Sequence, residues 1–467
     1  MKSKLIRKVT STNFDLSACA SFHNLFTIHH YSSENNRLEI CALIDENSSS
    51  SDEKTNSSSS LNHQEDSTPS HDSKTCLSST SFFHLFELDG VKSFCIVPLS
   101  TLFEERNLIV CIMNDNSKKA IYVNRTIASS EGQYSAREVE IDWQNPFDKL
   151  DSECLMSSCS SGYFAFYSPT HSKLHILRIL CQGSAVFSFE KVMDVDMFSR
   201  KAYSLQLTHS HVVLGQLNSI QVCDWRYQQV KNSSDSTSAP NLKISGSIIY
   251  LPKTTKTTKK KSKAASEKNG LLIPKKETSP PTTDKDSKEA TATASSPPST
   301  EKPEETIVST ISKQRDERVK DIKSISNNAF VILSSLGNLY LLNCLMPYDG
   351  DVFVKLSLPI SHEKLSKITS FDVLSSQLEP LYSSSLSAML ALSFENSDTV
   401  VVTSLKAVYS YLQTKQSLQA AKETAVIDIG IDNTLYSTDV VHGLCLSAVN
   451  NLVVADKKEL CMYQITI

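Results

Sequence analysis

The sequence predicts an all-β protein, built as a single β-propeller of about seven blades with two long disordered loops. Strand–turn–strand units recur from one end of the 467-residue chain to the other. Recurrence at a regular spacing is typical of repeat architectures. Two stretches that are poor in apolar residues interrupt these units. Without them on the order of 350 residues remain, which suits roughly seven four-stranded blades of about 40–50 residues each.

Each recurring unit has an apolar strand, a turn with Asn, Asp, Ser, Pro or Gly, and a second strand rich in Val, Ile, Leu and Tyr. We interpret the units as the inner strand pairs of the blades. In chain order they are Asn24–Ile44, Asn107–Arg125, Gly162–Ile179, His211–Tyr227, Asn328–Cys344, Ala388–Leu405 and Gly443–Ile465. The first and last units can share one blade, because propellers often close by joining strands from both ends of the chain. Six and eight blades are therefore the alternatives to seven.

The two interrupting stretches are predicted to be disordered loops. The first is rich in Ser and covers residues 46–80. The second is rich in Lys, Ser and Pro and covers residues 231–305, interrupted only by short apolar runs such as SIIYL near Ile248. Neither has enough apolar side chains to offset the entropy lost on ordering. Both lie between blade strands, where an insertion costs a loop entropy that grows only slowly with length. The alternative architectures are two smaller β domains joined by residues 231–305, and a large β-sandwich assembly.

Two stretches have the apolar spacing of helices. Thr310–Lys323 contains Val319 and Ile322 three residues apart, and Leu405–Lys422 places several apolar side chains on one face. In a propeller such helices are excursions between strands. We expect the second to pack on the rim of the propeller, with docking of a partner as the alternative.

Composition excludes several classes of protein. Twelve cysteines are scattered singly without a CxxC pair, so neither a zinc ribbon nor a thioredoxin-like site is indicated. We interpret them as small buried side chains in a reducing compartment. The net charge of −4 does not suggest a protein that coats nucleic acid. The N-terminus lacks the apolar region of a secretory signal, and no run is long enough to cross a bilayer, so we expect a soluble intracellular protein without membrane contact.

The clearest functional signal is a basic run within the second loop. Its lysines are Lys253, Lys256, Lys259, Lys260, Lys261, Lys263, Lys275 and Lys276. Nuclear import receptors read clustered lysines in extended, solvated segments, and KTTKKKSK followed by PKK resembles a bipartite localisation signal. No Arg or aromatic residue interleaves with these lysines, which disfavours base stacking on nucleic acid. The alternative is a passive linker.

No motif indicates catalysis, a cofactor, a metal or a small-molecule substrate. The sequence contains no GxGxxG, GxxxxGKS or GxSxG pattern. His29-His30 has only His23 nearby and no set of thiols or carboxylates, so a strand-paired or exposed role is expected. The prediction is a protein that is not an enzyme. An enzyme would need ionisable groups converging on the central channel of the propeller.

One dipeptide identifies the style of propeller. Asp224-Trp225 looks like a shifted WD dipeptide, in which the Asp and the Trp end a strand and pack against the neighbouring blade. No unit carries a GH…WD pair, so the predicted propeller is WD40-like without being a regular array.

The segment around this dipeptide also resembles the nucleolar protein 11 family, in which an apolar strand precedes an IxVWDxxY-like strand. The matching positions are Ile220, Val222, Asp224 and Tyr227. Cys223 stands where that family has Trp, and Trp225 is displaced. Members of the family are nucleolar and act in the small-subunit processome, supporting ribosomal RNA transcription and early pre-ribosome processing. The resemblance implies no catalytic residue.

These observations predict a non-catalytic protein-interaction scaffold in a nuclear or nucleolar complex. The resemblance implies a role in ribosome biogenesis. The expected partners are other proteins of a multi-subunit complex, with RNA associated only indirectly. The alternative is a cytoplasmic propeller adaptor in a trafficking or ubiquitin-ligase complex.

Overall fold

The computed structural model describes residues 2–10, 15–22, 25–31, 36–45, 80–99, 105–126, 133–143, 146–182, 186–197, 201–226, 247–252, 316–344, 352–358, 367–374, 389–415, 426–446, 451–456 and 459–466. The chain divides into two compact units, Met1–Leu251 with Asp316–Ile467, and Pro252–Arg315. Only Pro252 of the second unit is described. All described strands and helices belong to the first unit.

The described strands form seven β-sheets, which are the blades. Strand β1 is Lys2–Thr10. Blade 1 contains β2 (Asp15–Phe22), β3 (Leu25–Tyr31), β4 (Arg37–Asp45) and β5 (Thr80–Asp89). Blade 2 contains β6 (Val91–Pro98), β7 (Glu105–Met113), β8 (Lys118–Thr126) and β9 (Gln133–Val139). Blade 3 contains β10 (Leu155–Cys159), β11 (Tyr163–Ser168), β12 (Lys173–Gln182) and β13 (Val186–Asp196), preceded by the short 3-10 helix Phe147–Lys149.

The second half of the ring follows the same plan. Blade 4 contains β14 (Ala202–Leu207), β15 (His211–Gln216), β16 (Ser219–Asp224) and β17 (Ser247–Tyr250). Blade 5 contains β18 (Val319–Ser324), β19 (Ala329–Ser334), β20 (Leu339–Asn343) and β21 (Val352–Ser357), and β25 (Val426–Asp428) adds to it as a parallel fifth strand. Blade 6 contains β22 (Ile368–Leu374), β23 (Met389–Phe394), β24 (Thr399–Ser404) and β26 (Asn433–Tyr436), with helix α1 (Lys406–Lys415) between its third and fourth strands. Blade 7 contains β27 (Val441–Leu446), β28 (Asn451–Asp456) and β29 (Glu459–Thr466).

The two ends of the chain close the ring, although the units Asn24–Ile44 and Gly443–Ile465 lie in separate blades and do not share one. Strand β1 pairs antiparallel with β29, with Lys2 opposite Thr466, and supplies the outermost strand of blade 7. The first strand of every blade contacts the first strand of the next, from blade 1 round to blade 7 and back. Seven blades are therefore confirmed, and these first strands surround the central axis.

The core consists of seven apolar clusters, one at each junction between neighbouring blades. The last junction unites Ile28 and Cys41 of blade 1 with Cys445, Val453 and Met462 of blade 7. Each sheet buries both faces of its middle strands, so its side chains serve two junctions at once. Most of the described cysteines are buried, chiefly in these clusters, as predicted.

The strand pairs recognised in the sequence are the middle pairs of the blades, and their interpretation as inner pairs was wrong. In six blades they correspond to the second and third strands, and Gly443–Ile465 also includes most of β27, the first strand of blade 7. The first strand of each blade lies innermost. The physical reason is burial. Every residue of β19 (AFVILS) is buried, whereas in β18 (VKDIKS), which faces the axis, only Val319 and Ile322 are buried.

One of the two predicted helices exists and the other is a strand. Helix α1 confirms the prediction within Leu405–Lys422. The prediction over Thr310–Lys323 was wrong, because β18 begins at Val319. Its register shifts between Val319 and Asp321, so Val319 and Ile322 are both buried at a helix-like spacing of three. A β-bulge shifts the alternation of the strand by one residue and produces this pattern.

The predicted loops fall almost wholly outside the described residues. Within residues 46–80 only Thr80 is described, as the first residue of β5. Within residues 231–305 the structure describes β17, the outermost strand of blade 4, which coincides with the apolar run SIIYL that interrupts the predicted loop. Ile249 of this strand pairs with Ile220 and packs at the junction to blade 5. The alternatives of two β domains or a sandwich are also wrong, because blades on both sides of the insertion belong to one unit.

Candidate functional site

A β-bulge recurs near the beginning of the first strand in six of the seven blades. At each bulge one residue has no partner across the ladder, and its side chain departs from the alternation of the strand. The bulged residues are Ser17, Lys92, Tyr203, Lys320, Thr369 and His442. Bulges re-aim side chains and are common next to binding sites, which makes this set the leading candidate.

Contacts between neighbouring blades place these bulges at one end of the central channel. The guanidinium of Arg318 lies 5.5 Å from the centre of the Tyr203 ring, which joins the beginnings of β18 and β14. Lys320 Nζ donates a hydrogen bond to the carbonyl oxygen of Thr369, which joins the beginnings of β18 and β22. We define the channel mouth as Lys92, Tyr203, Lys320, Thr369 and His442.

The channel mouth is accessible to solvent and rich in cations. Lys92, Lys320 and His442 are exposed, whereas Tyr203 and Thr369 are half-buried. Three further cations directly precede the first strands of blades 4, 5 and 6, and all three are exposed. They are Lys201, Arg318 and Lys367.

A cavity of about 470 Å³ lies at the channel mouth between blades 5, 6 and 7. Its walls include Lys320, Thr369, Ser370, Asn396 and His442. The same wall also includes the carboxylates of Asp321 and Glu395 and the apolar residues Leu333, Phe394, Val440 and Val441. It therefore offers an ammonium group and an imidazole, two carboxylates, two hydroxyls and one amide, a set suited to hydrogen bonding with a polar chain.

Ionisable groups also meet deeper in the channel. Lys323 Nζ of blade 5 lies 3.6 Å from Asp372 Oδ1 of blade 6. Asp372 Oδ2 accepts a 2.8 Å hydrogen bond from the backbone N–H of Leu446 in blade 7. Burial raises the pKa of Asp321 above its ordinary value, against the opposing effect of Lys323. The charge of Asp321 in turn raises the pKa of Lys323 above its ordinary value. Lys323 therefore stays protonated at neutral pH. Its ion pair with Asp372 connects blades 5 and 6, and the hydrogen bond from Leu446 to Asp372 connects blades 6 and 7.

The predicted lysines Lys253, Lys256, Lys259, Lys260, Lys261, Lys263, Lys275 and Lys276 lie outside the described residues. The positions where the chain leaves and re-enters the propeller around them are described. The chain leaves after β17 and returns at Asp316, immediately before the channel-mouth residues of blade 5.

Asn218 holds both of these positions. Its backbone carbonyl accepts a 3.0 Å hydrogen bond from the N–H of Leu251, and its N–H donates to the carbonyl of Glu317 at 2.7 Å. Its side-chain Oδ1 accepts from the N–H of Glu317 at 2.7 Å. Asn218 has a φ of 57°, in the left-handed region that Asn tolerates better than most residues. The residues on either side of the insertion are therefore held at one turn of blade 4.

Two other residues noted in the sequence have structural roles. Trp225 is 1% exposed, its ring centre lies 5.2 Å from that of Tyr163 in blade 3, and its Nε1–H donates to the Thr208 carbonyl at 3.0 Å. This confirms that it packs against the neighbouring blade. His29 is buried in β3, with Nε2 at 2.8 Å from the Val91 carbonyl oxygen, which confirms a strand-paired histidine.

Within the described ranges, no group of three or more His, Cys, Asp or Glu side chains is arranged to hold a metal ion. None of the helices in the same ranges has the length and apolar character needed to cross a membrane.

The channel mouth was not predicted, although the sequence contains a signal for it. Each bulged residue follows an apolar residue and precedes a small or short polar one. Examples are Val91-Lys92-Ser93 in blade 2 and Val441-His442-Gly443 in blade 7. A three-residue pattern this permissive is recognisable only when the blades are already aligned.

No protein-family model and no curated protein matches the sequence. Among solved structures, the chain is similar to Sqt1 from Chaetomium thermophilum, with a TM-score of 0.47, 10% sequence identity and coverage of 100% of both chains. The fold assignment therefore rests on the strand pairing of this chain. No family model supports the resemblance to the nucleolar protein 11 family, which therefore rests only on the residue pattern of Ile220–Tyr227.

Proposed function

We propose that this protein is a non-catalytic interaction scaffold in a multi-subunit complex of the nucleus, with the nucleolus as its site of action. The observation that carries the proposal is a closed propeller with a lysine-rich insertion whose flanking residues are held at one of its turns. A propeller offers two faces and a rim to partners, and the insertion supplies a signal for localisation.

The channel supports a scaffold rather than an enzyme. Ionisable groups do converge there, as an enzyme would require, but Lys323 is charged and faces Asp372 at 3.6 Å. A protonated lysine cannot serve as a base or nucleophile. The same contacts connect blades 5, 6 and 7, which is a structural task.

The lysine-rich run supports nuclear import. Its eight lysines lie in an insertion of 63 residues between Pro252 and Asp316, for which both attachment points are described. Import receptors bind clustered lysines in extended segments, so an insertion of this composition is a suitable carrier. We infer a role in ribosome biogenesis from the resemblance of Ile220–Tyr227 to the nucleolar protein 11 family, with RNA reached through partner proteins.

Imaging a fluorescently tagged full-length chain tests the proposed localisation. Replacing the eight lysines by Gln should move the protein from the nucleus to the cytoplasm, because the receptor loses its charged contacts. Replacing the same eight by Arg is the matched control and should leave the protein nuclear, since positive charge is retained. An identical distribution of the wild type and the Gln variant would contradict the proposal.

Affinity purification of the tagged chain with mass spectrometry separates the proposal from its alternative. Pre-ribosomal small-subunit proteins are expected among the partners. Recovery of coat or ubiquitin-ligase subunits instead would support the cytoplasmic adaptor.

A further inference from the structure

Most cations at the channel mouth stand without acidic partners. Among the described residues, no ion pair involves a carboxylate and any of Lys201, Arg318, Lys320 and Lys367. Elsewhere on the propeller several cations are paired with carboxylates, as Lys119 is with Glu138 at 3.2 Å. Charge of one sign that is concentrated on one surface creates a field that attracts an oppositely charged partner.

Two of these cations, Lys320 and Lys367, are positioned near the beginning of β22, because Lys320 Nζ donates a hydrogen bond to the carbonyl oxygen of Thr369. The stem of Lys367 lies against Gly337 in a turn of blade 5, so closely that a Cβ at Gly337 would collide with it. Burial and the charge of Lys367 lower the pKa of Lys320, and Asp321 and Glu395 offset this only in part. An anion bound between the two ammonium groups would relieve their repulsion.

The cavity beside these lysines has room and hydrogen-bonding groups for part of a chain. Its volume of about 470 Å³ lies within the range typical of sites that enclose a small ligand. Ser370 and Thr369 line it together with the amide of Asn396. Hydroxyl and amide groups at such a wall can bond to peptide N–H and C=O groups. The carboxylates of Asp321 and Glu395 also line the cavity and can accept hydrogen bonds from peptide N–H groups, so the main chain of a peptide suits the cavity and its acidic side chains suit the cations outside it.

Peptide chemistry fits the channel mouth better than nucleic acid. Proteins that bind single strands offer open aromatic faces for base stacking, but Arg318 and Lys201 lie 5.5 Å and 6.0 Å from the centre of the Tyr203 ring. The exposed carboxylates of Asp316 and Glu395 also interrupt the positive surface. A nucleic acid carries a charge at every phosphate and would meet them, whereas a peptide can place its acidic residues selectively.

We propose that the channel mouth binds an extended acidic segment of a partner protein, whose carboxylates contact Lys320, Lys367 and Arg318 and whose chain enters the cavity between blades 5 and 7. This proposal rests on the scaffold function and names the chemistry of its partner. It is independent of where in the cell the protein acts.

Fluorescence anisotropy with the purified full-length chain tests this site. The probe is a short fluorescein-labelled peptide of alternating Glu and Ser residues, titrated at low and at physiological salt. The variant Lys320→Glu/Lys367→Glu should bind about tenfold or more weakly than the wild type, because two attractive contacts become repulsive. The matched control Lys191→Glu/Lys406→Glu changes two exposed lysines on β13 and α1 and should bind as the wild type does.

Further variants and a second probe distinguish binding at the channel mouth from binding elsewhere on the chain. A second variant, Lys201→Glu/Lys367→Gln, should also weaken binding, and circular dichroism verifies that each variant is folded. The variant with Gln at the eight lysines from Lys253 to Lys276 should retain most of the binding. Loss of binding in that variant together with retention in Lys320→Glu/Lys367→Glu would overturn the proposal. Tighter binding of a labelled oligouridine than of the peptide at the channel mouth would also overturn it. Neither result depends on the imaging experiment.

Discussion

Trp225 is the largest side chain that the propeller buries completely. It fills the junction between blades 3 and 4, and its indole N–H reaches the carbonyl of Thr208 at the turn between β14 and β15. One residue thus contributes apolar contact between blades and satisfies a backbone acceptor within its own blade. Its importance lies in holding two sheets together, which is why it is unsuited to contacting a partner.

Replacing Trp225 by Ala should lower the free energy of unfolding by about 3–5 kcal/mol, the usual cost of emptying a buried aromatic site. Trp225→Phe keeps most of the packing, loses the hydrogen bond to Thr208 and should cost about 1 kcal/mol. Urea unfolding followed by circular dichroism measures both values. Trp143, the other tryptophan of the chain, is only half-buried, so Trp143→Ala is the control with the smaller loss. An equal loss for Trp143→Ala and Trp225→Ala would contradict this role.

At the scale of elements, the β-bulge of the first strand is the feature that repeats most faithfully. Strands buried on both faces, such as β15 and β19, were predictable because every residue in them is buried. The first strands were not predictable, since they combine a bulge with side chains that alternate between a junction and the channel. In β18 this combination leaves the two buried residues, Val319 and Ile322, three positions apart, which is the spacing expected of a helix. The channel mouth depends on those strands, so its position required the structure.

Gly215 in β15 allows blades 4 and 5 to approach each other. A Cβ at this position would collide with Ser204 in the same blade and with Val319 in blade 5. Gly215→Ala should therefore lower the free energy of unfolding by about 1–3 kcal/mol, the typical cost of overpacking. Gly430→Ala is the matched control, because a Cβ there meets nothing within 4 Å. Comparison of the two variants by urea unfolding checks the contact, and equal stability would show that the blades are farther apart.

At the scale of the molecule, the protein is a ring whose seven junctions are alike and whose last junction depends on both ends of the chain. The class and the approximate blade count followed from the spacing of apolar strand pairs. Closure by β1 was predictable only as a possibility, because the N-terminal sequence KSKLIRKVT has few apolar residues for a strand. As the outermost strand of blade 7 it needs little burial, and Leu5 is 47% exposed.

Thermal unfolding of a chain that lacks residues 1–10 tests the closed ring most directly. Without β1 the edge of β29 is unpaired and blade 7 loses its outermost strand, so the midpoint should fall by roughly 5 °C or more. Adding a synthetic peptide of residues 1–10 should restore the midpoint in a concentration-dependent manner. Deletion of residues 281–290 from the insertion is the length-matched control and should leave the midpoint unchanged. A truncated chain with the midpoint of the full-length protein, unaffected by the peptide, would contradict closure by the two ends.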